Sequence, residues 1–237
     1  MTKGQISVDD STTLLSMLAS AEALFLDFDG PICSVFAGFP APLVAEQLRN
    51  LLAVAGDKGL PPKVQKSNDP FEVFGFVANS GYDHARYAEA ALRAHEVEAI
   101  ATAEPTAGAN RLIRTWHASG RKVAIVSNNS AAAVEAYLHR YSLMPYVHCI
   151  SARTEADPRL LKPNPFLLRQ ASDRLDTAAT KSVMIGDSLS DIQAAQAADV
   201  PVIGYANKPG KLNAFKLARP DAIIKSIALI AGLASLV

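Results

Sequence analysis

Two carboxylates, Asp27 and Asp29, stand two residues apart in Asp27-Phe28-Asp29-Gly30, directly after the apolar run Ala23-Leu24-Phe25-Leu26. Side chains at i and i+2 of an extended segment share a face, so both acids can converge on one ligand beyond the strand's C-terminal edge. Gly30 then lets the chain turn away. Paired acids at such a point suit phosphoryl chemistry. Cleaving a phosphoester at neutral pH demands a nucleophile in line with phosphorus, counter-charge for its oxygens and a proton for the leaving alkoxide.

Three further polar sites follow later strand-like segments. Ser127 closes Lys122-Val123-Ala124-Ile125-Val126 and precedes Asn128-Asn129-Ser130, a run able to start a helix. Its hydroxyl and the nearby backbone N–H groups can hold a phosphate oxygen; a plain helix cap is the alternative. Lys162, in Leu160-Leu161-Lys162-Pro163, brings a compact positive charge that can balance a carboxylate and a phosphate together, with an exposed lysine as the plainer reading. Gly186-Asp187-Ser188-Leu189-Ser190-Asp191 follows Val183-Met184-Ile185 and puts Asp191 one helical turn beyond Asp187. A helix N-cap would by itself explain Asp187 or Ser188.

In this order the four motifs resemble those of the haloacid dehalogenase superfamily of phosphatases and mutases, and the resemblance covers nearly the whole chain. It implies that Asp27 is the nucleophile, forming an aspartyl phosphate that divides one hard hydrolysis into two displacements. Asp29 is then the acid that protonates the leaving oxygen and, once ionised, draws a proton from the attacking water. Dehalogenating relatives lack an acid there, since halide leaves without a proton. Nucleophile and phosphate repel unless a cation lies between them, so Mg²⁺ is expected, held by Asp27, Asp187 and the backbone carbonyl of Asp29. Asp191 is expected to orient a metal-bound water or Lys162 rather than to ligate. Gly30, Asn128 and Gly186 support this set. Pro31 stands where relatives commonly carry threonine, which removes a hydroxyl and a backbone N–H beside the centre.

Short β-rich runs alternate with longer helical patterns, the signature of a doubly wound, Rossmann-like parallel sheet in the α/β class. Strands are expected at residues 24–27, 123–127, 147–151, 183–186, 200–203 and 222–224. Helices are expected at 106–119, 130–141, 164–175, 190–198 and, at the apolar tail, 227–237. The interval between the first two strands is roughly three times the ~30 residues of a crossover unit, so an inserted domain is expected there. Helical patterns at 41–55, 71–77 and 83–102 make it a small all-helical cap, with Gly38, Pro40, Glu104-Pro105 and Gly108 as hinges. The division is a core of residues 1–35 and 105–237 and a cap of 36–104. Its position is similar to the superfamily's first cap class, found in β-phosphoglucomutase and phosphoglycolate phosphatase.

The core motifs address the phosphoryl group, so specificity is assigned to the cap. Phe36, Phe39, Asn68, Phe71, Phe74, Asn79, Tyr82, His84 and Arg86 are the candidates, with helix packing the rival role for the aromatic residues and a solvated face for His84 and Arg86. The loop from Ala206 to Gly210 is expected near the catalytic edge, or as a plain turn. The 23 basic and 23 acidic residues cancel without long runs, which argues against nucleic acid as a partner. Two cysteines without metal-type spacing, Cys33 and Cys149, fit a reducing compartment, and a polar amino terminus fits a cytoplasmic location. The apolar tail is too short for a membrane helix. The sequence reading is therefore a Mg²⁺-dependent phosphatase of a small phosphorylated metabolite, a sugar phosphate or similar. A phosphomutase is the alternative that shares every core motif, and a binding module without turnover is the alternative from another class.

Overall fold

The computed structural model describes residues 8–54 and 60–237 of the chain. The first part runs α1 (Ser11–Ser20), β1 (Ala23–Leu26) and β2 (Cys33–Ser34), then α2 (Ala41–Val54), α3 (Pro62–Gln65), α4 (Pro70–Ala78) and α5 (Tyr82–Ala99). The middle holds β3 (Glu104–Pro105), α6 (Ala109–Ala118), β4 (Lys122–Ser130), α7 (Ala131–Arg140) and β5 (Cys149–Arg153). After these come α8 (Phe166–Leu175), β6 (Ser182–Gly186), α9 (Leu189–Ala197), β7 (Val202–Tyr205), α10 (Lys211–Ala218), β8 (Ala222–Ile224) and α11 (Ile227–Leu233).

Six strands make one sheet in the order β5-β4-β1-β6-β7-β8, with every pair parallel. The central strand β1 is buried along its length, as a parallel strand covered on both faces must be. Its side chains alternate between two apolar layers. Leu24 and Leu26 enter the layer built with α1, α6, α7 and α11, while Ala23 and Phe25 enter the layer of α8, α9 and α10. Each buried leucine or phenylalanine contributes roughly 1.5–3 kcal/mol from burial alone. The chain leaves β1 toward β4 on one side and returns to β6 on the other, so a crevice opens at their C-terminal ends, where α/β sheets take ligands.

Most of the expected elements are present, with shifted ends. The strand expected at 147–151 is Cys149–Arg153, because the chain around residue 146 is still in a tight helical turn and the ladder runs from Ala124↔Cys149 to Ser130↔Arg153. The strand expected at 200–203 begins at Val202, since the Val200 N–H donates back to Ala195 O at the end of α9. The tail is a packed helix, α11, against α6 and α1. Among the described residues no helix is long and apolar enough to cross a membrane.

The insert leaves and re-enters through a two-stranded antiparallel ribbon, β2 with β3, pairing Cys33 with Pro105 and Ser34 with Glu104. Between them α2, α4 and α5 pack together around Val44, Leu48, Val73, Phe74, Val77 and Leu92. Asp69 caps α4, its carboxylate accepting the Phe71 N–H at 2.9 Å, and Pro70 occupies the first turn, where no N–H is needed. Residue 55 of the expected first cap helix lies outside the described residues. At the glycines expected as hinges the packing is close: a Cβ on Gly38 would lie 2.5 Å from Thr102, and one on Gly108 2.6 Å from Ala228.

Candidate active site

The sheet delivers Asp27 to the crevice. The Asp27 N–H still donates to Ile185 O at 3.0 Å, so the residue is fixed as a continuation of β1. Asp27 Oδ1 accepts the Phe28 N–H at 2.7 Å and lies 2.9 Å from Lys162 Nζ. Lys162 is buried, and its ammonium also reaches Asp191 Oδ1 at 2.5 Å and Val126 O at 2.8 Å. The Val126 carbonyl accepts a hydrogen bond, and the two carboxylates are ion-pair partners of the same ammonium. The Lys162 backbone is gripped by the Asn128 side chain, whose Oδ1 accepts its N–H at 2.8 Å while Nδ2 donates to its carbonyl at 3.0 Å. Burial lowers the affinity of Lys162 for its proton, but Asp191 and Asp27 outweigh that and raise its pKa.

Asp191 is held by the start of α9. Its Oδ2 accepts the Ser188 N–H at 3.0 Å and the Ser188 hydroxyl at 2.7 Å, while Ser188 Oγ accepts the Asp191 N–H, a reciprocal capping box. Asp187 lies across the crevice, its Oδ2 accepting Asn207 Nδ2 at 2.9 Å and lying 2.5 Å from Lys211 Nζ. Asp27, Asp187 and Asp191 each present a carboxylate oxygen within 4.8 Å of the others. Two positions must be glycine for this: a Cβ on Gly30, whose φ is +105°, would lie 2.4 Å from the Asp187 carboxylate, and one on Gly186 would lie 2.3 Å from Asp191 Cβ.

Asp29 Oδ1 accepts the Val35 N–H at 2.9 Å. Burial raises the Asp29 pKa, opposed by that N–H and reinforced by the Asp187 charge. In the turn it heads, the Thr106 hydroxyl donates to Gly30 O at 2.6 Å, so a hydroxyl reaches this turn from residue 106 and not from residue 31. Ser127 is fully buried, its hydroxyl paired with Asn129 Oδ1 at 3.2 Å. The cap of α7 is Ser130, three residues on, whose hydroxyl accepts the Ala133 N–H.

Negative charge is in excess here. Burial, then Asp191 and Asp187, push the Asp27 carboxyl up to about 8 despite Lys162. Three converging carboxylates with unbalanced charge fit a hard divalent cation, whose ligands are oxygens.

The cap candidates have varied surroundings. Phe39 stacks on His95 at 5.8 Å, Phe74 is buried in the cap core, and Asn68 is exposed ahead of α4. Half-buried His84 sits at the start of α5, and exposed Arg86 lines a cavity of about 910 Å³ with Asn79, Asp83, Glu155 and Arg159. That cavity lies between α5 and the loop after β5. The Tyr82 side chain lies outside what the structure describes. Sequence reasoning missed Lys211, Asn207 as a partner of Asp187, Thr106, and a buried Arg153 with Glu89 and Glu96. The two glutamates are seven residues apart on α5, two helical turns, and that spacing was the available signal for a shared face.

A family model described as a haloacid dehalogenase-like hydrolase matches residues 21–199. Phosphoglycolate phosphatase of Photobacterium profundum is 32% identical over 119 residues, 50% of this chain and 51% of that protein. The enzyme of the same name from Escherichia coli (strain K12) is 29% identical over 110 residues, 46% of this chain and 43% of that one. The chain thus spans about half the length of the curated relatives it matches. Among solved structures, CbbY from Rhodobacter sphaeroides in complex with phosphate superposes with a TM-score of 0.63 at 20% identity, covering 88% of this chain and 95% of that one. A HAD-superfamily hydrolase, subfamily IA, from Geobacter sulfurreducens gives 0.56 at 19% identity over 90% and 96%. These likenesses show the shared fold, and the match across residues 21–199 places this chain in the family of haloacid dehalogenase-like hydrolases.

Proposed function

We propose that the chain is a Mg²⁺-dependent phosphatase that hydrolyses the monoester of a small phosphorylated metabolite through phospho-Asp27. The observation that carries this reading is the buried ammonium of Lys162, ion-paired at once with Asp27 and Asp191 beside Asp187. A divalent cation held by the Asp27 and Asp187 carboxylates and the Asp29 carbonyl would supply counter-charge between nucleophile and phosphate.

An Asp27 oxygen attacks phosphorus and the ester P–O bond breaks, while Asp29 hands its proton to the departing alkoxide. Water then attacks the phosphoaspartate, Asp29 takes the proton back, and the bond to Asp27 breaks to release phosphate. The raised pKa of Asp29 suits the first of these duties. Lys162 balances nucleophile and phosphate, and Ser127 with its neighbouring N–H groups holds a phosphate oxygen. Residues 36–104 act as the cap over a core of 1–35 and 105–237, and the cap chooses the rest of the substrate, with Phe39, Asn68, Tyr82, His84 and Arg86 as candidates. Relatives named phosphoglycolate phosphatase make phosphoglycolate the first metabolite to try, with sugar phosphates after it.

The test is phosphate release from p-nitrophenyl phosphate and from a panel of phosphorylated metabolites. Release with Mg²⁺, its loss in EDTA and its absence in Asp27→Asn are expected. Full activity of folded Asp27→Asn would overturn the nucleophile assignment. Conversion of a phosphosugar to a positional isomer without free phosphate would make the enzyme a mutase.

A further inference from the structure

Arg153, at the end of β5, carries a guanidinium with no solvent exposure. Its three nitrogens address three residues on two segments of chain. Nη1 meets Glu89 Oε1 at 2.9 Å, Nη2 meets Glu96 Oε2 at 2.5 Å, and Nε donates to Asn128 O at 3.2 Å. Both glutamates belong to cap helix α5, and the α4 residue Phe74 lays its ring 5.3 Å from the guanidinium carbon. Glu96 is itself fully buried and gathers donors from the core: Asn129 Nδ2 at 3.2 Å and the Ser130 N–H at 2.9 Å. Arg93 stands 3.5 Å from the other Glu89 oxygen, so two cations face two anions.

Burying such charges is costly and is a poor way to gain stability over apolar packing. What the cluster does provide is direction, because a planar guanidinium fixes the angles of all it binds. Two routes lead from it to the reacting groups. One runs from Arg153 to the Asn128 carbonyl, and from the Asn128 side chain to the backbone of Lys162. The other runs from Glu96 to Asn129, and from Asn129 Oδ1 to the Ser127 hydroxyl.

We propose that Arg153 and Glu96 are positioning residues, which bind α5 of the cap to the segment from Ser127 to Ser130 and so set the placement of Ser127 and Lys162. The inference rests on the phosphatase reading for its catalytic consequence, but not for the coupling itself. Any cap motion that displaces this part of α5 also displaces the loop that holds Lys162.

The test compares Glu96→Gln and Arg153→Lys with the wild type in two measurements: hydrogen–deuterium exchange at residues 128–130, and steady-state hydrolysis of p-nitrophenyl phosphate with Mg²⁺. Glutamine keeps the shape of Glu96, and lysine keeps the charge of Arg153 but not its fork. Faster exchange at 128–130 is expected in both, with kcat lower by about 10- to 100-fold and KM within about twofold, the signature of misplaced groups and not of lost binding. Folded variants with wild-type exchange and wild-type kcat overturn the proposal, as does a loss confined to KM. If the wild type releases no phosphate from any ester, the phosphatase reading falls, and the exchange measurement still decides the coupling.

Discussion

Asp27 has to be an anion to attack phosphorus, yet its surroundings hold the proton to about pH 8 without a cation. The native protein therefore binds this proton more tightly than the unfolded chain, where the carboxyl titrates near 3.8. The stability so contributed is complete below about pH 3.8 and is lost as pH rises through about 8. In EDTA the melting temperature is expected to fall from pH 5 to pH 8 more steeply for the wild type than for Asp27→Asn, which cannot ionise. Equal slopes would show that Asp27 is ionised throughout. Lys162 makes the complementary case. Replacing it with methionine leaves Asp27 and Asp191 facing each other in a buried site, and breaking a buried pair in this way costs about 3–5 kcal/mol. Urea denaturation at pH 7 is expected to show a loss of that size along with loss of turnover; a shift under about 1 kcal/mol would mean the two acids find other partners.

At the scale of elements, α9 begins with a box in which Ser188 and Asp191 hold each other, and Asp191 in turn holds Lys162. Ser188→Ala is expected to cost about 1 kcal/mol by denaturant titration, the usual size of a lost N-cap. It is also expected to lower kcat, because Asp191 loses a bond that aims it; an unchanged kcat would separate the cap from the site. The sequence made the strands legible because buried parallel strands are short apolar runs, but periodicity carries no register, so 147–151 and 200–203 were each displaced by two residues. Two core helices escaped for a physical reason. α1 buries only Leu14 and Leu18, and α10 only Phe215, so neither shows an apolar stripe wide enough to stand out. Asp27, Asp29, Asp187 and both site glycines were legible because they sit at or just beyond a strand end, Asp191 because it lies one helical turn after Asp187, and Lys162 through its place in the series of motifs, since it stands in a loop nine residues past β5. Lys211 was not, since it lies on an element that had no signal.

For the molecule as a whole, the clustering of Asp27, Asp187 and Asp191 at the mouth of one crevice predicts coupling between cation and fold. Adding Mg²⁺ is expected to raise the melting temperature by mass action, with reversal by EDTA and a much smaller shift in Asp187→Asn. A shift retained in that variant would put the cation elsewhere. What no sequence pattern exposed was the union of insert and core: Arg153 and Glu96 are 57 residues apart in a chain whose local periods are 2 and 3.6, and their pairing is a product of tertiary packing alone.

The ribbon that pairs Cys33 with Pro105 brings both ends of the insert side by side, so a short bridge across that gap would in principle yield a lidless protein. Arg153 makes such surgery conditional. Excision would strip away both of its carboxylates and the Phe74 ring beside it, leaving the guanidinium the Asn128 carbonyl and water, so a minimal core, or a graft of some foreign lid, has to supply another grip on the segment from Ser127 to Ser130.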